Sequence, residues 1–265
     1  MRAKTRSKTD ELLDILFWTT ETLSRPTWRS LTESYEGWAY RKGLLSQLRR
    51  LEKQQWLECQ AGPAGDRLYR LTQTGRRQAL GGRDPKACWA RRWDGRWRLI
   101  LFDVPESRSS ARNTLRRYLQ DCGFGYLQNS VWITPHPAIE QRALLFDGPV
   151  DVESLILFEA RPCAGESDAQ IVAGAWDFAR ISGCYAKHQR VLDQRPRGPV
   201  NNEAAAKAFH LWHREEREAW MEALRRDPLL PSSLLPDGYV GRRAWETRLA
   251  AMREAKEQIR AFRIE

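Results

Sequence analysis

Six polar side chains between Lys42 and Lys53 have the types and spacing to bind a polyanion: Lys42, Ser46, Gln47, Arg49, Arg50 and Lys53. At helical spacing Lys42, Ser46, Arg49, Arg50 and Lys53 form one face, and Leu44, Leu45, Leu48 and Leu51 form the opposite one. Guanidinium and ammonium groups bind phosphate, whereas hydroxyl and carboxamide groups can read the edges of bases. Lys42, Ser46 and Gln47 are therefore candidates for base edges in double-stranded DNA. Arg49 and Arg50 are candidates for phosphates, with Lys53 on the same basic stripe. Arg67 and Arg70, some twenty residues on, are further phosphate candidates. A basic stripe is also what an ordinary solvated helix face looks like, and Arg50 can equally serve a structural salt bridge. The basic tail Arg2, Lys4, Arg6 and Lys8 adds either a backbone contact or an unattached end.

The surrounding elements weigh in favour of DNA. Thr9 or Asp10 can cap a helix that runs to about Leu23, and Pro26 stops it. A short helix fits Trp28–Ser34, Gly37 breaks it, and a stronger helix fits Trp38–Gln54. Trp56–Cys59 is strand-like, Ala61–Asp66 is a turn cluster, and Arg67–Thr72 alternates as a second strand. Helices followed by a hairpin with arginines near its tip form the winged helix-turn-helix arrangement, expected here over 1–86. In it the third helix enters the major groove and the wing touches backbone or minor groove. The phrase Leu71-Thr72-Gln73-Thr74-Gly75-Arg76 resembles the wing exit of many bacterial winged-helix repressors.

Charge agrees with this placement. The chain of 265 residues carries a formal net charge of +10, and residues 1–86 hold 17 Lys/Arg against 10 Asp/Glu. Such a field attracts a polyanion through counterion release. The charged fraction of 29% argues against a membrane protein, and no apolar run approaches the roughly 18 residues that span a bilayer. No targeting segment is read at the N-terminus, and a cytoplasmic protein is expected. The five cysteines are odd in number and spread out. They read as reduced thiols rather than a disulfide framework or a zinc ribbon.

Further on, Gly81–Pro85 reads as a linker, and 87–165 as a ferredoxin-like α/β domain. Its elements are a strand over Arg96–Val104, a helix over Ser109–Cys122, a strand over Leu127–Thr134, a helix over Ala138–Phe146 and a strand over Asp151–Glu159. Residues 166–265 read as a helical domain, with helices over Ala169–Tyr185, Asn202–Arg226 and Arg242–Ile264 around the proline-rich stretch Asp227–Gly241. The expected class is α+β. His210 and His213, spaced i, i+3, could seed a metal site, but they are read as packed or exposed residues; no metal or cofactor is expected. The twelve tryptophans point to core packing, with effector stacking as the alternative.

The stretch Trp93-Asp94-Gly95-Arg96-Trp97-Arg98-Leu99-Ile100-Leu101-Phe102-Asp103-Val104-Pro105-Glu106 resembles the phenylacetate-operon repressor (PaaX) family. So do Arg116-Arg117-Tyr118-Leu119 and Gly123-Phe124-Gly125-Tyr126-Leu127-Gln128-Asn129-Ser130-Val131-Trp132-Ile133. The resemblance extends to Arg67–Thr72 and to Asp227–Gly241, where Tyr239 and Val240 stand in place of the family's usual tryptophan and proline. It implies a repressor that works as a homodimer and is released from DNA by an aryl- or acyl-coenzyme A thioester. The central motif is also similar to a CRISPR-adaptation subunit. Some members of that family are metal-dependent nucleases with an aspartate where Asp103 stands. A lone aspartate makes a poor Mg²⁺ site. Three readings remain: a repressor, a nuclease using Asp103, or an acyl-coenzyme A-binding protein without a regulatory role.

Overall fold

A computed structural model describes residues 9, 12–14, 16–17, 43–61, 67–103, 109–128, 131–137, 154–163 and 165–260. The basic tail, the short helix expected over 28–34, the residues 38–42, the hairpin tip and the helix expected over 138–146 lie outside these residues. The chain is a mixed α and β structure with antiparallel sheets, and it divides into two compact units.

The first unit comprises 1–84, 189–218 and 243–265. Helix α1 (Leu44–Lys53) buries Leu44, Leu48 and Leu51 on one face. Strands β1 (Leu57–Ala61) and β2 (Arg67–Leu71) pair antiparallel, with Cys59 opposite Tyr69. Helix α2 (Gln73–Ala79) follows at once. Its start explains the Leu-Thr-x-x-Gly phrase. The Thr72 hydroxyl accepts from Gly75 N at 2.9 Å and donates to the Gln55 carbonyl at 2.7 Å, so it caps α2 and ties it back to the loop after α1. Gly75 packs directly on the Trp56 carbonyl; a Cβ there would lie 1.9 Å from that oxygen.

Helices from the far end of the chain complete this core. Leu12, Leu13, Leu16, Leu48, Leu51, Tyr69 and Leu71 cluster with Leu192, Phe209, Trp212, Met252 and Ala255. Burying apolar surface is the main stabilising term, and a short helical segment alone has little to bury.

The second unit comprises 85–188 and 219–242. It opens with a short helix α3 (Pro85–Ala90), which the sequence did not suggest. Then come β3 (Trp97–Asp103), α4 (Ser109–Asp121), β4 (Gly125–Gln128), β5 (Val131–Thr134) and β6 (Ser154–Ala160). The sheet order is β4-β5-β3-β6, with every neighbour antiparallel. The stretch expected as one strand over Leu127–Thr134 is instead divided between β4 and β5, which pair with each other through a register shift. Helix α4 ends in a Schellman arrangement: Phe124 N donates to Leu119 O at 3.0 Å and Gly123 N to Gln120 O at 2.9 Å. Gly123 has the positive φ of 88° that this ending needs.

Each sheet face carries a packed cluster, although Ile156 and Phe158 on β6 stay exposed. Ile100, Phe102 and Trp132 pack on Leu115 and Leu119 of α4. On the opposite face Trp97 and Ile133 pack on Val172, Trp176, Leu230 and Leu234.

The helix expected over Ala169–Tyr185 is two helices, α5 (Asp168–Ala175) and α6 (Phe178–Asp193). Trp176 is extended between them, and the Asp177 carboxylate caps the second by accepting from Arg180 N at 2.8 Å. Helices α7 (Glu203–Arg226) and α8 (Gly241–Arg260) flank the proline-rich stretch, which carries one 3₁₀ turn at Ser232–Leu234. The stretch 166–265, expected as a helical domain, is shared between the units: α6, α7 and α8 each give residues to both. Their hydrophobic pattern marks them as amphipathic helices but does not name the core that each stretch serves.

Candidate nucleic-acid interface

The α1–hairpin segment carries most of the polar residues singled out in the sequence. Ser46, Arg49, Arg50 and Lys53 are exposed on α1, opposite its buried leucines. Among the described residues Arg49, Arg50 and Lys53 form no salt bridge, so no structural ion pair is seen for Arg50. Lys42 lies outside the described residues. Ser46 turns its hydroxyl back to the Gly43 carbonyl at 2.7 Å, at the first turn of the helix. Gln47 is half-buried, and its carboxamide oxygen accepts from the Thr9 hydroxyl. That bond commits the Gln47 oxygen to the fold.

On the hairpin, Arg67 and Arg70 are exposed. Arg70 Nε lies 3.7 Å from Glu58 Oε1 across the strands, with both groups open to water. Such a pair contributes little to stability. A hydrogen bond with Tyr69 raises the Arg67 guanidinium above its ordinary value, so this group stays charged at any working pH. The segment therefore presents fixed positive charge on a rigid helix and on a strand pair directly after it.

The first unit also holds a charged cluster that sequence reading missed. Asp14 is buried, with His213 Nε2 at 3.2 Å, Arg217 Nε at 3.7 Å and Arg248 Nη2 at 3.8 Å. Arg248 also grips Glu216 through two hydrogen bonds of 2.7 and 3.1 Å. Burial pushes the Asp14 carboxyl up. The His213 contact and the two guanidinium charges outweigh that and hold it below the ordinary carboxylate range. His213 thus packs within an ion cluster. Among the described residues no group of three or more His, Cys, Asp or Glu could hold a metal ion. The backbone of Asp103 pairs with Ser154 at the end of β3. Its side chain, and with it the alternative metal-dependent role, lies outside what the structure describes.

In the second unit the central sequence motif has a structural explanation. Arg98 is buried and reaches Asp94 with bonds of 2.8 and 2.6 Å and Glu159 with bonds of 3.2 and 3.1 Å. Asp94 also accepts from Arg96 N at 3.0 Å, Trp93 Nε1 donates to the Arg96 carbonyl, and Trp97 Nε1 donates to Asp168 at 2.7 Å. The Trp-Asp-Gly-Arg-Trp-Arg run thus closes the start of β3 onto β6 and α5. A family model described as the PaaX protein central Cas2-like domain matches residues 90–172, which include this run. The chain is thus similar to the PaaX family, in its central stretch above all. It is similar to the transcriptional repressor PaaX of Escherichia coli strain K12, at 27% identity over 212 residues. That match covers 74% of this chain and 63% of the repressor, just under two thirds of the relative's length. A solved structure of an uncharacterized protein from Mycobacterium tuberculosis is similar in fold, with a TM-score of 0.54, 18% identity, and 93% and 96% of the two chains covered.

The position that departs from the family's usual pattern is also accounted for in the second unit. The Tyr239 hydroxyl donates to Asp227 Oδ2 and accepts from Trp89 Nε1 at 3.1 Å. Tyr185 donates to the same Asp227 oxygen at 2.6 Å. Burial, and then the Asp227 charge, push both phenols up, so they remain donors. Tyr239 therefore anchors the proline-rich stretch by hydrogen bonding.

Proposed function

We propose that this protein is a DNA-binding transcriptional repressor with a winged helix-turn-helix, a ferredoxin-like central domain and further helices. The observation that carries the reading is α1. Its leucines are buried on one face, Ser46, Arg49, Arg50 and Lys53 are exposed on the other, and a hairpin bearing Arg67 and Arg70 follows directly. The antiparallel order β4-β5-β3-β6, with α4 joining β3 to β4, supports the ferredoxin-like reading. The E. coli relative is named a transcriptional repressor, and repression is carried over from it as part of this proposal.

In this reading α1 lies in the major groove and the hairpin arginines touch the DNA backbone. The protein binds as a homodimer on a two-fold-related operator, the commonest symmetry for such an assembly. By resemblance, an aryl- or acyl-coenzyme A thioester shifts the population to a form that leaves DNA.

Selection of genomic DNA fragments at two salt concentrations tests the proposal. The expected result is a preferred, roughly palindromic fragment that survives the higher salt and sediments with two protein chains. Uniform binding that salt abolishes would leave only a basic surface and refute a specific regulator.

A further inference from the structure

Within the second unit a cavity of about 490 Å³ opens between the end of α4, the turn joining α5 to α6, and the last turn of α7. That volume is typical of a small-molecule site. Arg117, Arg180, Arg225 and Arg226 line it from three different helices, and all four are exposed. Glu222 is shared between two of them, 2.7 Å from Arg225 Nη2 and 2.8 Å from Arg226 Nη2. With Asp121 and Asp177 also lining it, the cavity holds four guanidiniums against three carboxylates, so a smaller positive charge is left over. Arg117 spends its Nε on the Asn113 carbonyl at 3.2 Å, and among the described residues neither Arg117 nor Arg180 forms a salt bridge. Asp177 in the same wall is engaged in capping α6. Beside the arginines stands Tyr126, 41% exposed, with its ring edge-on to Trp132 at 5.4 Å.

We propose that this cavity binds a small phosphorylated molecule with a flat ring, its phosphates held by the four arginines and its ring against Tyr126. Planar guanidiniums match phosphate oxygens two at a time, and several of them around one hollow favour a multiply charged anion over a single carboxylate. An incoming diphosphate competes with the Glu222 carboxylate for Arg225 and Arg226. An exposed aromatic face adds stacking for a ring. The site lies inside one unit and does not depend on DNA recognition.

Calorimetric titration of the full chain without DNA tests this, with ADP and inorganic pyrophosphate as probes. Saturable binding of one ADP per chain is expected, with pyrophosphate weaker. Arg117→Gln and Arg180→Gln should each weaken both probes about tenfold, the loss of one charge-assisted contact. Tyr126→Ala should weaken ADP alone. All three side chains are exposed, so melting temperature should hold. If a glutamine variant melts early, Arg180→Lys replaces it, keeping the charge and losing the fork. Absence of saturable binding by either probe, or binding that the Arg117→Gln/Arg180→Gln pair leaves unchanged, overturns the proposal. So does loss of DNA affinity in that pair without any ADP binding, which would make these arginines a DNA-backbone contact.

Discussion

Asp14 is a buried charge on which several others in the first unit depend. Its carboxylate is buried against His213, Arg217 and Arg248, so removing its charge leaves buried guanidinium uncompensated. Breaking a buried ion cluster from one side costs about 3–5 kcal/mol. Asp14→Asn should therefore lower the free energy of chemical unfolding by that amount, whereas half-buried Glu58→Gln should change it by less than about 1 kcal/mol. The pH dependence follows from the same group. Its folded value lies below the unfolded one, near 3.9 for an aspartate. The stabilisation it contributes is thus complete above about pH 4 and is lost as pH falls through the lower folded value. Unfolding curves recorded between pH 3 and pH 6 should show an acid limb that Asp14→Asn flattens.

At the scale of elements, α1 and the β1–β2 hairpin act as one piece because of the turn chemistry that joins them. Thr72 caps α2 and holds the Gln55 carbonyl, while Gly75 lets α2 rest on Trp56. Gly75→Ala forces a methyl against a backbone oxygen and should cost about 1–3 kcal/mol or more, read as a fall in melting temperature. On α1 itself Arg49→Ala should weaken binding to every DNA sequence and flatten the salt slope by about one. Gln47→Ala removes a bond to Thr9 as well as any base contact, so its effect on sequence preference must be compared with Thr9→Ala. If Arg49→Ala leaves affinity and slope unchanged, α1 is not the helix that meets DNA.

On the scale of the molecule, the first unit is assembled from both ends of the chain. Leu48 and Leu51 of α1 share a core with Phe209, Trp212, Met252 and Ala255. A fragment of residues 1–86 should therefore fail to fold cooperatively by circular dichroism. Met252→Ala should destabilise the full chain by about 2–5 kcal/mol, with amide protection falling at Leu48 and Leu51. A stable 1–86 fragment would show instead that the N-terminal elements hold a sufficient core of their own.

Much of this was legible in the sequence because it depends on neighbours along the chain. The leucine period of α1, the turn residues of the hairpin and the alternation of β2 report local burial, and a helix or strand needs only that to take shape. The polar face of α1 is read in the same way, as the complement of its apolar face. What the sequence could not supply was anything resting on distant pairing. The partition of α6, α7 and α8 between two cores, the Asp14–His213–Arg217–Arg248 cluster, the role of Arg98 and the arginine-lined cavity join residues dozens to hundreds of positions apart. An amphipathic pattern says that a face will be buried, and a charge says that it needs a partner. Only tertiary packing decides which core and which partner, because those energies depend on distance in space and not along the chain.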